Sequence, residues 1–197
     1  RTLQRPGQRR GPARTDALKA LLKLLSLCLA YPDAEARRIL PEMEAAAKSL
    51  GDPLARERLT HFITMMTAQP LLDLQAHYTT VFDLNPSASL NLTYHLMGER
   101  EDRGRALAEL IEVYRQAGFA PAVNDLPDFL PLVLEFLAVS AGGEDNELIR
   151  RCLAAVPAIA QRLKDSGSMY AAPLELVLSA VPGAAQVGLA PAGVAGE

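Results

Sequence analysis

The sequence predicts an all-α fold, a single-domain bundle of about eight helices, and three observations predict the helices. Leu and Ala dominate the apolar residues, Trp is absent and aromatics make up only 5%, so helix formers outweigh strand formers. Apolar residues recur at spacings of three and four, the period of a helix with one buried face. Helix starts and stops punctuate the chain throughout, at the short intervals usual in bundles. With 197 residues, 49% of them hydrophobic, the chain is long enough for one sizeable core.

Thr15 or Asp16 can cap a first helix, which Tyr31-Pro32 stops. Asp33 can cap a second, running to Leu50 before Gly51, in which Pro41 predicts a kink or a restart. Asp52-Pro53 reads as cap plus first-turn proline of a third helix, which buries Leu59, Phe62, Ile63 and Met66 and breaks at Gln69-Pro70. A fourth spans about Leu71 to Phe82 and buries Leu74, Tyr78, Val81 and Phe82. Asn85-Pro86-Ser87 is turn chemistry, followed by one or two helical turns between Leu90 and Leu96. Glu101 to Ala117 is the clearest helix, with Leu107, Leu110, Ile111 and Tyr114 on one face and Gly118 at its stop. Pro121 to Pro127 connects it to a helix opened by Asp128 or Pro131, running through Ser140 and closed by Gly142-Gly143. Asn146 caps a long helix through Lys164 with Pro157 inside it, and Pro173 to Ala180 forms the last.

The formal net charge of -3 hides an asymmetry. Residues 1–14 hold five arginines and no acid, and removing those five from 20 basic residues leaves 15 against 23 acidic ones, or -8 for the rest. Such a body suits a cationic partner better than nucleic acid, although a solvated acidic surface has the same composition. Residues 1–14 are expected to be a disordered basic lead, outside the 15–181 domain; the opening Arg rather than Met fits a lead that is incomplete or partly vector-derived. Residues 182–197, Gly, Ala, Pro and Val with almost no charge and no period, are expected to be a disordered tail. Lys19 and Lys23 interrupt the apolar run after Arg9-Arg10 and leave Leu18, Leu21, Leu22, Leu25 and Leu29 on one stripe, an amphipathic core helix rather than a secretory signal. No window reaches the roughly 18 uninterrupted apolar residues of a membrane span, so no stable membrane insertion is expected. Cys28 and Cys152 lie far apart in leucine-rich segments and read as reduced core residues, in keeping with a cytoplasmic location.

The search for chemistry finds no phosphate-cradling glycine loop, no zinc-type His pair and no nucleophile elbow, so no enzyme activity, catalytic residue or metal site is assigned. His61, His77 and His95 stand in separate segments and read as structural. Two constellations stand out. Tyr78 and Phe82 at i, i+4, with Asp83 at the exit, form either core plus cap or a binding face. In Leu126-Pro127-Asp128-Phe129 through Leu134-Glu135-Phe136, Asp128 is either a helix N-cap or, seven residues from Glu135 and on nearly the same helical face, half of an acidic pair.

These stretches carry a resemblance. Tyr78-Thr-Thr-Val-Phe82-Asp83-Leu84-Asn85, then Ser89-Leu90-Asn-Leu92-Thr93-Tyr94, Gly98-Glu-Arg-Glu-Asp-Arg103-Gly104, Tyr114-Arg-Gln-Ala-Gly118-Phe119, and Leu126-Pro127-Asp128 running into Leu134-Glu135-Phe136 together resemble the nitrate reductase molybdenum cofactor assembly chaperones. These are the NarJ family within the TorD/DmsD group, and the resemblance covers about residues 16 to 180. One position departs from it: the residue after Pro127-Asp128 is often His in that family and is Phe129 here, so no imidazole role carries over.

The resemblance implies an all-α chaperone that binds the N-terminal segment of the catalytic subunit of respiratory nitrate reductase. It would keep that subunit competent for molybdenum cofactor insertion and delay membrane docking, with molybdenum cofactor biosynthesis proteins as further partners. No cofactor is expected to stay bound to the chain itself, since the molybdenum cofactor goes into the client. Tyr78, Phe82, Asp83, Tyr94, Asp128, Phe129 and Glu135 are the peptide-binding candidates, the aromatic rings packing on the client's apolar residues and the acids facing its basic ones. Two rivals are a sibling chaperone for a dimethyl sulfoxide, trimethylamine oxide or formate enzyme, and a carrier of the cofactor or a nucleotide.

Overall fold

A computed structural model describes residues 12–98, 101–119, 125–140 and 146–181. The basic lead before Pro12, the tail from Pro182, most of the connector at 121–124 and the Gly142-Gly143 stop lie outside the described residues. Among those described, ten α-helices form the fold and strand content is limited to one isolated bridge between Asn91 and Phe129.

The helices are α1 (Pro12–Leu29), α2 (Ala34–Lys48), α3 (Pro53–Ala68), α4 (Leu71–Tyr78), α5 (Leu92–Met97), α6 (Glu101–Gln116), α7 (Leu130–Val139), α8 (Glu147–Leu153), α9 (Val156–Asp165) and α10 (Ala171–Ala180). α1 packs chiefly along α7 and also meets α10 and α2, while α2 lies on α3 and α9 on α10. Leu25, Cys28 and Leu29 of α1, Leu59, Phe62 and Ile63 of α3, Leu130 and Leu134 of α7 and Leu174 of α10 are buried in one continuous core. Each contributes on the order of 1.5–3 kcal/mol of hydrophobic stabilisation.

Three of the expected caps form as read. Asp33 accepts from Ala36 N at 2.7 Å, Asp52 from Leu54 N at 2.8 Å, and Asn146 from Leu148 N and Ile149 N at 3.0 and 3.1 Å. Each satisfies N–H groups that the first helical turn leaves without a partner. At the opposite kind of helix end, Arg37 donates to the carbonyls of Met66, Thr67 and Gln69 where α3 stops, satisfying acceptors rather than donors.

Several boundaries differ from the sequence reading. α1 begins at Pro12, ahead of Thr15 and Asp16. Pro41 does not divide α2; it is exposed, where water can replace the helical bond a proline removes. The helix expected from Asn146 to Lys164 is two, α8 and α9, separated at Ala154-Ala155. Pro157 lacks an N–H and crowds the carbonyl four residues back, that of Leu153, which is where α8 ends; it then serves as a first-turn proline of α9. The stretch to Phe82 is helical, but after Tyr78 it widens into a π turn, Thr79–Asp83, closed by Leu84 N–H on Thr79 O at 2.9 Å. On α6 the buried stripe is Ala106, Leu110 and Tyr114, and Ile111 is 48% exposed. Tyr114 sets that rotation, its ring 4.7 Å from Phe136 and its hydroxyl donating to Pro127 O at 2.6 Å.

Candidate functional site

The segment before α7 organises the site. Leu92 N–H donates to Asp128 O at 3.1 Å and Leu130 N–H to Leu90 O at 2.8 Å, so residues 90–92 and 128–130 run antiparallel as a short bridge. Asp128 is therefore in a turn rather than on α7, whose N-cap is Phe129. The seven-residue spacing to Glu135 does not put the two acids on one helical face, because only Glu135 is on the helix.

Asp128 is wholly buried. Its Oδ2 accepts from Thr93 N at 2.9 Å and from Thr93 Oγ1 at 2.5 Å. Arg103 Nε–H donates to the same Thr93 Oγ1 at 3.1 Å, its Nη2 lies 3.9 Å from Asp128 Oδ2, and the guanidinium stands 5.8 Å over the Tyr94 ring. This is an internal knot linking the bridge, the start of α5 and α6. Asp128, expected to face a basic residue of another protein, has no solvent exposure and makes its charge-assisted bonds inside its own chain through Oδ2, while its Oδ1 has no hydrogen-bond partner among the described residues.

Tyr78 and Phe82 are interior as well, at 2% and 3% exposure. Their rings lie 4.8 Å apart, and Tyr170 approaches them at 5.8 and 4.9 Å, with Phe62 behind it at 5.4 Å. The π turn lets Tyr78 and Phe82 pack on the same central ring. Tyr78 Oη donates to Leu29 O at 3.0 Å, tying this cluster to the end of α1. Burial pushes the phenols of Tyr78, Tyr114 and Tyr170 above the ordinary tyrosine range, so each stays a neutral hydroxyl. Burial also pushes the thiol of Cys152 up to about 12 and raises that of Cys28, leaving both free cysteines unreactive.

The remaining candidates line two separate hollows. Phe82, Asp83 and Tyr94 border one of about 200 Å³, with Pro86, Ser89, Asn91 and Arg103. Here the ring edge of Phe82 meets polar neighbours, and Asp83 is exposed. Phe129 and Glu135 line the other, a groove of about 370 Å³ between α1 and α7. From α1 it takes Lys23, Ser26 and Leu27, with Ala30 just past the helix end continuing the spacing i, i+3, i+4, i+7, and from α7 Leu132, Glu135, Phe136 and Val139. Phe119 and Asp125 close one side.

Groove and core differ in how they treat apolar side chains. Phe119 and Val139 remain 38% and 50% exposed along the groove, a cost that a soluble domain usually avoids in clusters. Ser26 Oγ donates to Pro131 O at 2.7 Å and holds α1 against α7 beneath the opening. Lys23 and Glu135 form an ion pair across it. Sequence reading missed the α1 wall and Phe119. Lys23, Ser26, Leu27 and Ala30 had the visible signal of helical spacing, but their partner across the groove is more than a hundred residues away.

Among the described residues, no group of three or more His, Cys, Asp or Glu side chains is placed to hold a metal ion, and no helix is long and apolar enough to cross a membrane. What the geometry can do is bind: an apolar trough with a carboxylate on its wall offers burial to hydrophobic side chains and a partner to one cation.

The comparisons agree on where such a domain belongs. Residues 33–174 match the family described as the nitrate reductase delta subunit. NarJ of Escherichia coli (strain K12), a nitrate reductase molybdenum cofactor assembly chaperone, is 36% identical over 159 residues, covering 80% of this chain and 67% of that protein. NarJ of Bacillus subtilis (strain 168) is 36% identical over 157 residues, covering 80% and 85%. In fold, the chain is similar to the crystal structure of a redox enzyme maturation protein from Archaeoglobus fulgidus, with a TM-score of 0.61 at 21% identity, over 89% of this chain and 94% of that one. By the length and identity of these matches, this chain belongs to the nitrate reductase delta subunit family.

Proposed function

We propose that this protein is a system-specific chaperone for a respiratory nitrate reductase. It binds the N-terminal segment of the catalytic subunit, keeps that subunit competent for molybdenum cofactor insertion and delays its docking at the membrane. Two relatives at 36% identity carry the assembly-chaperone name, and the observation that carries the reading to this chain is the α1–α7 groove. The client segment lies in it as an amphipathic helix or extended strand, its apolar side chains packed on Leu27, Phe129, Leu132 and Val139. Glu135 and Asp125 face its basic residues. Phe82, Asp83 and Tyr94 extend the contact surface in the second hollow, while Tyr78 and Asp128 support it from within.

No bond is made or broken on this protein in such a role. Holding is achieved by apolar burial with one or two charge contacts, strong enough to shield a segment and weak enough to release it. The molybdenum cofactor is the client's, and proteins of cofactor biosynthesis meet the chaperone through the client they load.

Calorimetry with a synthetic peptide of the client's N-terminal segment tests the groove. Phe129→Ala is expected to weaken binding about tenfold, as truncating an interface anchor does, with the fold intact. Unchanged affinity in Phe129→Ala and in Val139→Asp would place the contact elsewhere. Pull-down from cells respiring nitrate reads the client: the nitrate reductase catalytic subunit as dominant partner supports the assignment, and a dimethyl sulfoxide, trimethylamine oxide or formate enzyme in its place overturns it.

A further inference from the structure

Lys23 and Glu135 face each other across the groove, one from α1 and one from α7, with side chains 46% and 47% exposed. An ion pair this open to water is weak, worth a factor of about two to five in an equilibrium, and it holds its lysine in place only loosely. Yet its position is specific. Both residues line the groove beside Leu27, Leu132, Phe136 and Val139, where a basic residue of an incoming amphipathic segment would need its counter-charge.

We infer that Lys23 is an intramolecular placeholder for a ligand cation. In the peptide-free protein its ammonium neutralises Glu135 beside the apolar floor; on binding, an arginine of the ligand takes the carboxylate and Lys23 swings to solvent. The inference rests on the peptide-binding reading and adds to it a specificity rule and the residue that sets it. An ammonium is a compact, strongly hydrated point charge, whereas a guanidinium is planar, less hydrated and able to bond both carboxylate oxygens at once. Exchanging Lys23 for an arginine therefore gains a second hydrogen bond; exchanging it for a lysine gains nothing, and an uncharged residue leaves the internal pair in place. The groove thereby selects arginine-bearing amphipathic segments. Charge exchange also keeps total affinity modest, because every new ion pair costs an old one.

Titration calorimetry on the full chain with three synthetic amphipathic helical peptides, identical except for Arg, Lys or Gln at one position, tests this. Tighter binding of the Arg peptide than of the Lys and Gln peptides, which bind alike, is expected for the parent protein. Lys23→Gln should tighten the Arg peptide about two- to fivefold and leave the Gln peptide unchanged. Lys19→Gln, which removes the same charge one turn away on α1, should change neither. In a Glu135→Gln background the effect of Lys23→Gln should vanish. If it persists there, or if Lys19→Gln tightens binding as much, a general charge field is at work and the placeholder is refuted. Peptide binding that ignores Lys23→Gln overturns this inference alone; failure of every peptide to bind the parent overturns the peptide-binding reading with it.

Discussion

Asp128 and Glu135 are seven residues apart in one conspicuous stretch, and the structure puts them to opposite uses. Asp128 has no solvent exposure and spends its charge on Thr93 and Arg103, joining the bridge to α5 and α6. Glu135 is half exposed on α7, in an apolar groove, with a loosely held lysine as its partner. The same side-chain chemistry thus serves an internal bond network at one end and stands half open to water in a groove at the other, and the separation follows from burial. A carboxylate withdrawn from water is costly unless it is bonded within the chain, whereas one at a groove's edge can exchange partners at little cost. The aromatic residues divide in the same way, Tyr78 and Phe82 around Tyr170 in the interior, Phe119 and Phe129 along the groove.

Substitution at Asp128 strains this contrast most. Asp128→Ala strips Thr93 N–H and Oγ1 of their acceptor and leaves Arg103 beside no counter-charge, so urea unfolding should show a loss of about 2–4 kcal/mol. Asp128→Asn keeps an acceptor for Thr93 and should lose less. The division drawn here breaks if Asp128→Ala is as stable as the parent and impaired only in peptide binding.

Two buried tyrosines sharpen the comparison at smaller amplitude. Tyr78 Oη donates to Leu29 O, while Tyr170 Oη has no hydrogen-bond partner among the described residues. Tyr78→Phe should therefore cost about 1 kcal/mol of unfolding free energy, and Tyr170→Phe, which removes an unsatisfied polar atom, should be neutral or stabilising. Equal losses in the two would show that ring packing alone governs the cluster.

The smallest effect is expected from pH, and on the interior side. His95 on α5 is held below the ordinary histidine value, chiefly by burial, with the bond to Ser89 O and the charge of Asp128 opposing and Arg162 adding to the shift. Its protonated form is the one the fold disfavours. Stability from this group is full above about 6.5 and is lost as pH falls from there through the lowered folded value. Denaturation midpoints measured between neutral pH and pH 5 should decline, and His95→Gln should flatten that decline.

Much of the fold is legible in the residues. Asp33, Asp52 and Asn146 cap where a short acceptor precedes a helical pattern, because capping is a contact between residues two or three apart. Leu59, Phe62, Ile63 and Met66 are buried where their spacing puts them on one face. Other features escape such reading. Pro157 carries the same local signal as Pro41, yet it separates α8 from α9 while Pro41 sits within a continuous α2. The shape around the candidate residues was not legible: Tyr78, Phe82 and Asp128 belong to the interior, and the two hollows take Phe82, Asp83 and Tyr94 on one side and Phe129 and Glu135 on the other.

By itself the sequence determined what depends on near neighbours: an all-helical chain, three of its caps and most of its buried faces. Tertiary structure alone decided which acid is buried and which is half exposed, because that depends on pairings between distant segments, Thr93 with Asp128 and Lys23 with Glu135. Helical period says which way a side chain points along its own axis. It carries no information about the element waiting there, and burial, hydrogen bonding and the shape of a groove are all properties of that second element.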